Sequence, residues 1–122
     1  MASTNSSSSF KDDEWIIEAT DQNNYVGAPV ANGQIGILPW CEPFSIRHII
    51  LNHVFEFGPN GDVFRVVKAI NPFDLIVRIN GTSVNNENIS HWTQSINLKN
   101  ATHNTSFTYL NKAKIDYTIR AL

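Results

Sequence analysis

The sequence is short of charge, sulfur and long apolar runs, and each shortage removes a class of function. Charged residues fill 16% of its 122 positions, against about 25% in an average soluble domain. Nine basic and eleven acidic side chains nearly cancel, leaving a net charge of −2. That balance offers no footprint for nucleic acid and no polybasic surface for a membrane. One cysteine, Cys41, forbids an internal disulfide and falls short of a thiolate metal cluster. The longest apolar stretches are a handful of residues, far from the roughly 20 that a membrane-crossing helix needs. His48, His53, His91 and His103 fall into no metal-ligand spacing. No Gly-x-Ser-x-Gly elbow occurs, and Gly33-Gln34-Ile35-Gly36 is too sparse for a phosphate loop. Neither a metal nor a cofactor is expected.

Hydrophobic residues make up 42% of the chain, enough for one folded domain with a real core and too many for general disorder. Residues 1–13 begin with a Ser-rich run that cannot bury surface and read as a flexible leader. The leader has neither the basic start nor the apolar middle of a signal peptide, although it suits the tether left after one is removed. Residues 14–122 read as the domain. Its polar surface is supplied by Asn, Ser and Thr rather than by Lys and Glu. Codon bias beside a large buried face explains this, and so does a surface matched to the hydroxyl groups of sugars. Five Asn-x-Ser/Thr sequons, at Asn5, Asn80, Asn88, Asn100 and Asn104, carry glycans only in a eukaryotic secretory setting. A secreted or periplasmic location is favoured over a cytoplasmic one.

Period-two alternation dominates from Trp15 onward. Residues 114–122 place Ile115, Tyr117, Ile119 and Ala121 on one face and Asp116, Thr118 and Arg120 on the other, the pattern of a strand with one buried and one wet face. Residues 74–80 place Leu75, Val77 and Ile79 together, and residues 62–67 and 105–110 are rich in aromatic and β-branched side chains. Residues 45–51 are apolar on both faces, which suits a central strand. Turn signals fall between these runs, at Gly58-Pro59-Asn60-Gly61, Asn71-Pro72, Asn80-Gly81 and Asn111-Lys112. Residues 10–18 fit a short helix or a strand. About eight or nine short strands at this spacing predict an all-β, antiparallel β-sandwich.

Candidate chemistry is thin. Glycosidase catalysis needs two paired carboxylates, one of raised pKa, and nothing in the sequence pairs any two of Asp13, Glu14, Glu18, Glu42, Glu56, Asp62 and Asp74. Catalytic residues are therefore expected to be absent. Cys41, between Trp40 and Glu42, reads as an incidental small thiol, and His48 as a hydrogen-bonded core histidine. Sugar binding wants flat rings flanked by polar side chains. Trp40, and Trp92 beside His91, meet that description, and both equally fit a hydrophobic core.

The order of the local signals carries a resemblance. Trp15-Ile16-Ile17-Glu18 precedes Ala31-Asn32-Gly33-Gln34-Ile35-Gly36 and then Leu51-Asn52-His53-Val54-Phe55-Glu56. Asn71-Pro72-Phe73-Asp74-Leu75 leads to Ile79-Asn80-Gly81. Trp92-Thr93-Gln94-Ser95-Ile96-Asn97-Leu98-Lys99 then precedes Thr105-Ser106-Phe107-Thr108-Tyr109. From Trp15 to Leu122 the chain resembles the N-terminal domain of glycoside hydrolase family 65, the group of maltose, trehalose and kojibiose phosphorylases and related glucosidases. It departs from that family where Ile37-Leu38-Pro39-Trp40 replaces an arginine with further glycines, and where Asn97 replaces a common aspartate.

The resemblance implies a super-sandwich of the galactose mutarotase type that continues past Leu122. It also implies an (α/α)6 catalytic barrel of the same polypeptide as partner, with the acid–base chemistry housed in that barrel. Carbohydrate binding and an oligomer are compatible with it. A free-standing carbohydrate-binding or structural sandwich remains the alternative. Residues 32–40 are expected to form a rigid corner, turned by Gly33 and Gly36 and stiffened by Pro39, that presents Asn32 and Trp40 together to a sugar or to the barrel. Asn32, Gly33, Gly36, Trp40, His91 and Trp92 are thus the candidate carbohydrate or domain-interface residues.

Overall fold

The computed structural model describes residues 15–58, 60–61, 64–73 and 75–122. The leader, Glu14, Pro59, Asp62, Val63 and Asp74 lie outside them. Among the described residues ten strands form antiparallel sheets. The chain is an all-β, antiparallel sandwich.

The first sheet orders β1 (Ile16–Ala19), β8 (Ile89–Asn97), β9 (Thr102–Tyr109) and β10 (Ala113–Arg120) side by side. The second orders β2 (Val30–Ala31), β3 (Ile35–Pro39), β4 (Ile46–Phe57) and β5 (Phe64–Lys68). A two-stranded ribbon, β6 (Arg78–Ile79) with β7 (Thr82–Ser83), stands apart from both. Trp15 lies in a single 3-10 turn and Ile16–Ala19 form β1, so within the described part residues 16–18 are strand.

Alternation along β10 is as the sequence predicts. Ile115, Tyr117 and Ile119 are half-buried, and Lys114, Asp116, Thr118 and Arg120 are exposed. Their register sets Ile115 opposite Phe107, Tyr117 opposite Thr105 and Ile119 opposite His103. That row becomes the inner face of the first sheet. Its core is Val84, Trp92, Phe107 and Tyr109, with Phe107 fully enclosed. Tyr25, Cys41, Phe44, Val77 and Ile79 close over it from the loops and the ribbon.

One expectation is corrected. Asp74 lies outside the described residues, and residues 75–80 do not form a strand of their own length: the Leu75 amide bonds the Phe73 carbonyl at 2.9 Å instead of a neighbouring strand. Only Arg78–Ile79 pairs, through the Asn80-Gly81 turn, whose residues both take positive φ (51° and 82°) as a tight hairpin requires. Val77 and Ile79 still reach the core, while Leu75 points away. The Asn111-Lys112 signal falls within the β9–β10 turn, residues 110–112, where Leu110 and Asn111 take positive φ (49° and 53°).

The two sheets are tied through side chains. The Gln94 amide of β8 donates to the Trp40 carbonyl at 2.8 Å, and the Phe44 amide donates to the Tyr117 hydroxyl at 3.1 Å. Asn32 Nδ2 donates to the Leu122 carbonyl at 2.5 Å. If Phe107 is the keystone of this core, Phe107→Ala lowers unfolding free energy by about 3–5 kcal/mol. Thr118→Ala, on the wet face of β10, changes it by less than about 1 kcal/mol. Urea denaturation of the two variants measures the contrast.

Candidate functional site

Residues 32–40 do not make a single corner. Asn32 and Gly33 form the β2–β3 turn, and Trp40 follows the far end of β3, five strand residues away. At about 3.3 Å per residue the two ends lie roughly 16 Å apart. Asn32 is occupied by the fold. Its Oδ1 accepts from the amides of Gln34 and Ile35, both at 2.9 Å, and Asn52 of β4 donates to the Gly33 carbonyl at 2.6 Å. Gly33 takes φ 89°, a conformation that favours glycine. Gly36 does not: it is ordinary strand, and a Cβ there meets the Ala31 Cβ at 3.6 Å, a normal contact.

Gly36 instead forms the floor of a trough. Ala31, Gly36, Leu38, His48, Ile50 and Val66 share one face of the second sheet and line a groove of about 450 Å³ with the β2–β3 turn at its end. The opposite face carries Val30 and Ile49, which are buried. The two-faced apolar pattern of residues 45–51 thus has a structural counterpart, and β4 lies between β3 and β5 as a central strand should. His48 is half-buried on the trough rather than in the core.

Trp40 is half-buried. Arg47 lies over its ring at 4.2 Å, and Tyr25 meets it edge-on at 6.1 Å. Trp92, only 5% exposed, belongs to the core, so its face offers no platform. His91 is exposed and takes φ 52°, at the irregularity of β8 between Ser90 and Thr93. Bulges of this kind re-aim side chains. With Thr20, Asp21, Gln22, Asn23 and Thr93, His91 lines an open, hydroxyl- and amide-rich groove of about 520 Å³. Gln22 is held there by donating to the Cys41 carbonyl and to Asn86 Oδ1.

Sequence periodicity gave no sign of a polar patch on the inner face of the first sheet. Gln94, His103 and Thr105 are 2%, 1% and 1% exposed. Nε2 of His103 lies 3.4 Å from the Tyr25 hydroxyl, and its Nδ1 has no partner among the described residues. Burial pushes the Tyr25 hydroxyl and the Cys41 thiol up in pKa, so Cys41 is not an activated nucleophile. The Ser106 hydroxyl, and then Lys114, hold Asp116 down, the opposite of what a general acid needs. Among the described residues no group of three or more His, Cys, Asp and Glu converges as a metal site.

No family model matches the chain. Two curated proteins do. A kojibiose hydrolase of Flavobacterium johnsoniae is 30% identical over 115 residues, which cover 93% of this chain. A kojibiose hydrolase of Mucilaginibacter mallensis is 31% identical over 112 residues, covering 90% of it. The chain is similar to kojibiose hydrolases. It spans 17% of the length of each, so the similarity reaches almost all of this sandwich and a small part of those enzymes.

His103 gives this site a pH signature. Burial lowers its pKa below the ordinary value near 6.5, so the unfolded chain takes up a proton that the folded chain refuses. Stability is therefore full at neutral pH and falls as pH drops through about 6.5. His103→Gln removes the titration, and the pH dependence of its urea midpoint between pH 7.5 and 5.5 is expected to flatten relative to wild type.

Proposed function

We propose that this chain is a non-catalytic β-sandwich module of a family 65-like glycoside hydrolase acting on α-glucosides, packed against an (α/α)6 catalytic domain of the same polypeptide. One observation carries the reading: nearly all of the chain aligns with one sixth of a kojibiose hydrolase. Chemistry within the sandwich is consistent with a supporting role. Asp116 is held ionised, Glu56 is engaged by Arg65 at 2.6 Å, and the exposed groove beside His91 carries one carboxylate, Asp21, among hydroxyl and amide groups, with no second acid to pair with it. Asn32 and Gly33 at the β2–β3 turn, Gly36 on the floor of the trough and Trp40 beyond the end of β3 then act as interface rather than catalytic residues. The (α/α)6 architecture, family 65 membership and phosphorolysis as an alternative to hydrolysis enter through the resemblance alone.

A second reading, a carbohydrate-binding sandwich that works by itself, draws on the same groove beside His91. Kojibiose supplied to the purified chain separates the two. The first reading expects no glucose above a blank from the chain and glucose release from the full-length protein that contains it. Glucose release by the chain alone overturns the non-catalytic assignment. Saturable kojibiose binding by the chain, lost in His91→Gly, favours the second reading.

A further inference from the structure

The hairpin of β4 and β5 reaches beyond the trough and keeps its sidedness. Phe55 pairs with Val66, and Phe57 with Phe64, so these four side chains share a face. Val66 also lines the trough, which places all four on the same side of the sheet as Gly36, Leu38 and Ile50. Phe57 and Phe64 touch, with ring centroids 4.5 Å apart. They are nevertheless 62% and 67% exposed, and Phe55 is 52% exposed. The other side of the tip carries the Glu56–Arg65 ion pair, a solvent-facing arrangement. Charge on one side and phenyl rings on the other mark which face is meant for water. The face meant for burial is the outer one, away from buried Val30 and Ile49.

We infer that this outer face, from the Gly36 floor to the Phe57–Phe64 tip, is the surface that the remainder of the full-length polypeptide covers. The inference rests on the module reading and names the surface that reading leaves open. The relatives decide the occupant. Each has about five times as much further chain as the stretch matched here, whereas a second copy would leave that larger part of each protein unaccounted for. His48, and Lys68 opposite Ile50, also lie on this face; a largely apolar face of this kind is uncommon on a free monomer.

Hydroxyl-radical footprinting of Phe55, Phe57 and Phe64 tests it, in the 122-residue chain and in the full-length protein. Side-chain oxidation follows exposed area, so rings that pass from more than half exposed to an interface core should react about fivefold more slowly in the full-length protein. The pair Phe57→Ser with Phe64→Ser should leave the melting temperature of the chain unchanged and lower that of the full-length protein. Equal oxidation in both proteins overturns the inference. So does slow oxidation in the chain alone together with a dimer in sedimentation, which assigns the face to a second copy. Protection in a full-length protein that releases no glucose from kojibiose keeps the surface and removes the hydrolase reading; glucose release without protection does the reverse.

Discussion

A wedge of aromatic rings between two separately hydrogen-bonded sheets is the feature on which the rest of the structure depends. Tyr25 meets Trp40 and Trp92 edge-on, with centroids 6.1 and 5.4 Å away. Phe44 stacks on Tyr117 at 4.8 Å and stands edge-on to Phe107 at 6.0 Å. Trp92, Phe107 and Tyr117 belong to the first sheet, and Trp40 and Phe44 to the segment leading into β4. Edge-to-face and offset pairs contribute roughly 0.5–1.5 kcal/mol each beyond their buried area. Gln94 and Tyr117 add polar ties across the same gap. The join runs from Trp40 and Phe44 to the Asn32–Leu122 bond at the β2–β3 turn, and it is the β4–β5 tip that extends free of it.

That asymmetry separates supporting from interacting parts. The first sheet has one face buried in the core and Lys114, Asp116, Thr118 and Arg120 facing outward along β10, with exposed apolar side chains at its edge strand β1, Ile16 and Ile17. The second is unfinished, with Val30 and Ile49 buried on one side and a trough and exposed phenyl rings on the other. A sheet apolar on both faces is the pattern of a layer enclosed from both sides. The low charge noted in the sequence has the same cause, since the residues that would carry charge on an exposed sheet are here Leu38, Ile50, Phe55, Phe57, Phe64 and Val66.

Much of the fold was legible because alternation reports burial directly, as in β10 and in the two-faced run at the start of β4. Sequence reasoning failed where local backbone geometry overrode pattern. Leu75, Val77 and Ile79 alternate as in a strand, yet the Leu75 amide bonds the Phe73 carbonyl and only Arg78–Ile79 is paired. The candidate site was less legible. Asn32 and Trp40 are neighbours in a motif but stand at opposite ends of β3, and Trp92 is core. The inward polar residues Gln94, His103 and Thr105 break hydrophobic periodicity while facing the core, so no apolar pattern could mark them. Their signal lay in strand parity: His103 and Thr105 share the side of Phe107 and Tyr109.

Residue-resolved hydrogen exchange of the 122-residue chain measures the asymmetry most directly. Amides of β8 and β9, the two interior strands of the first sheet, should exchange only through global unfolding, because the aromatic wedge and Phe107 hold that sheet. Amides of β5 and of residues 55–57 should exchange through far smaller openings, since one face of that hairpin has nothing packed on it. Protection in β5 equal to that of β9 would contradict the account, for it would mean that the second sheet is complete as it stands.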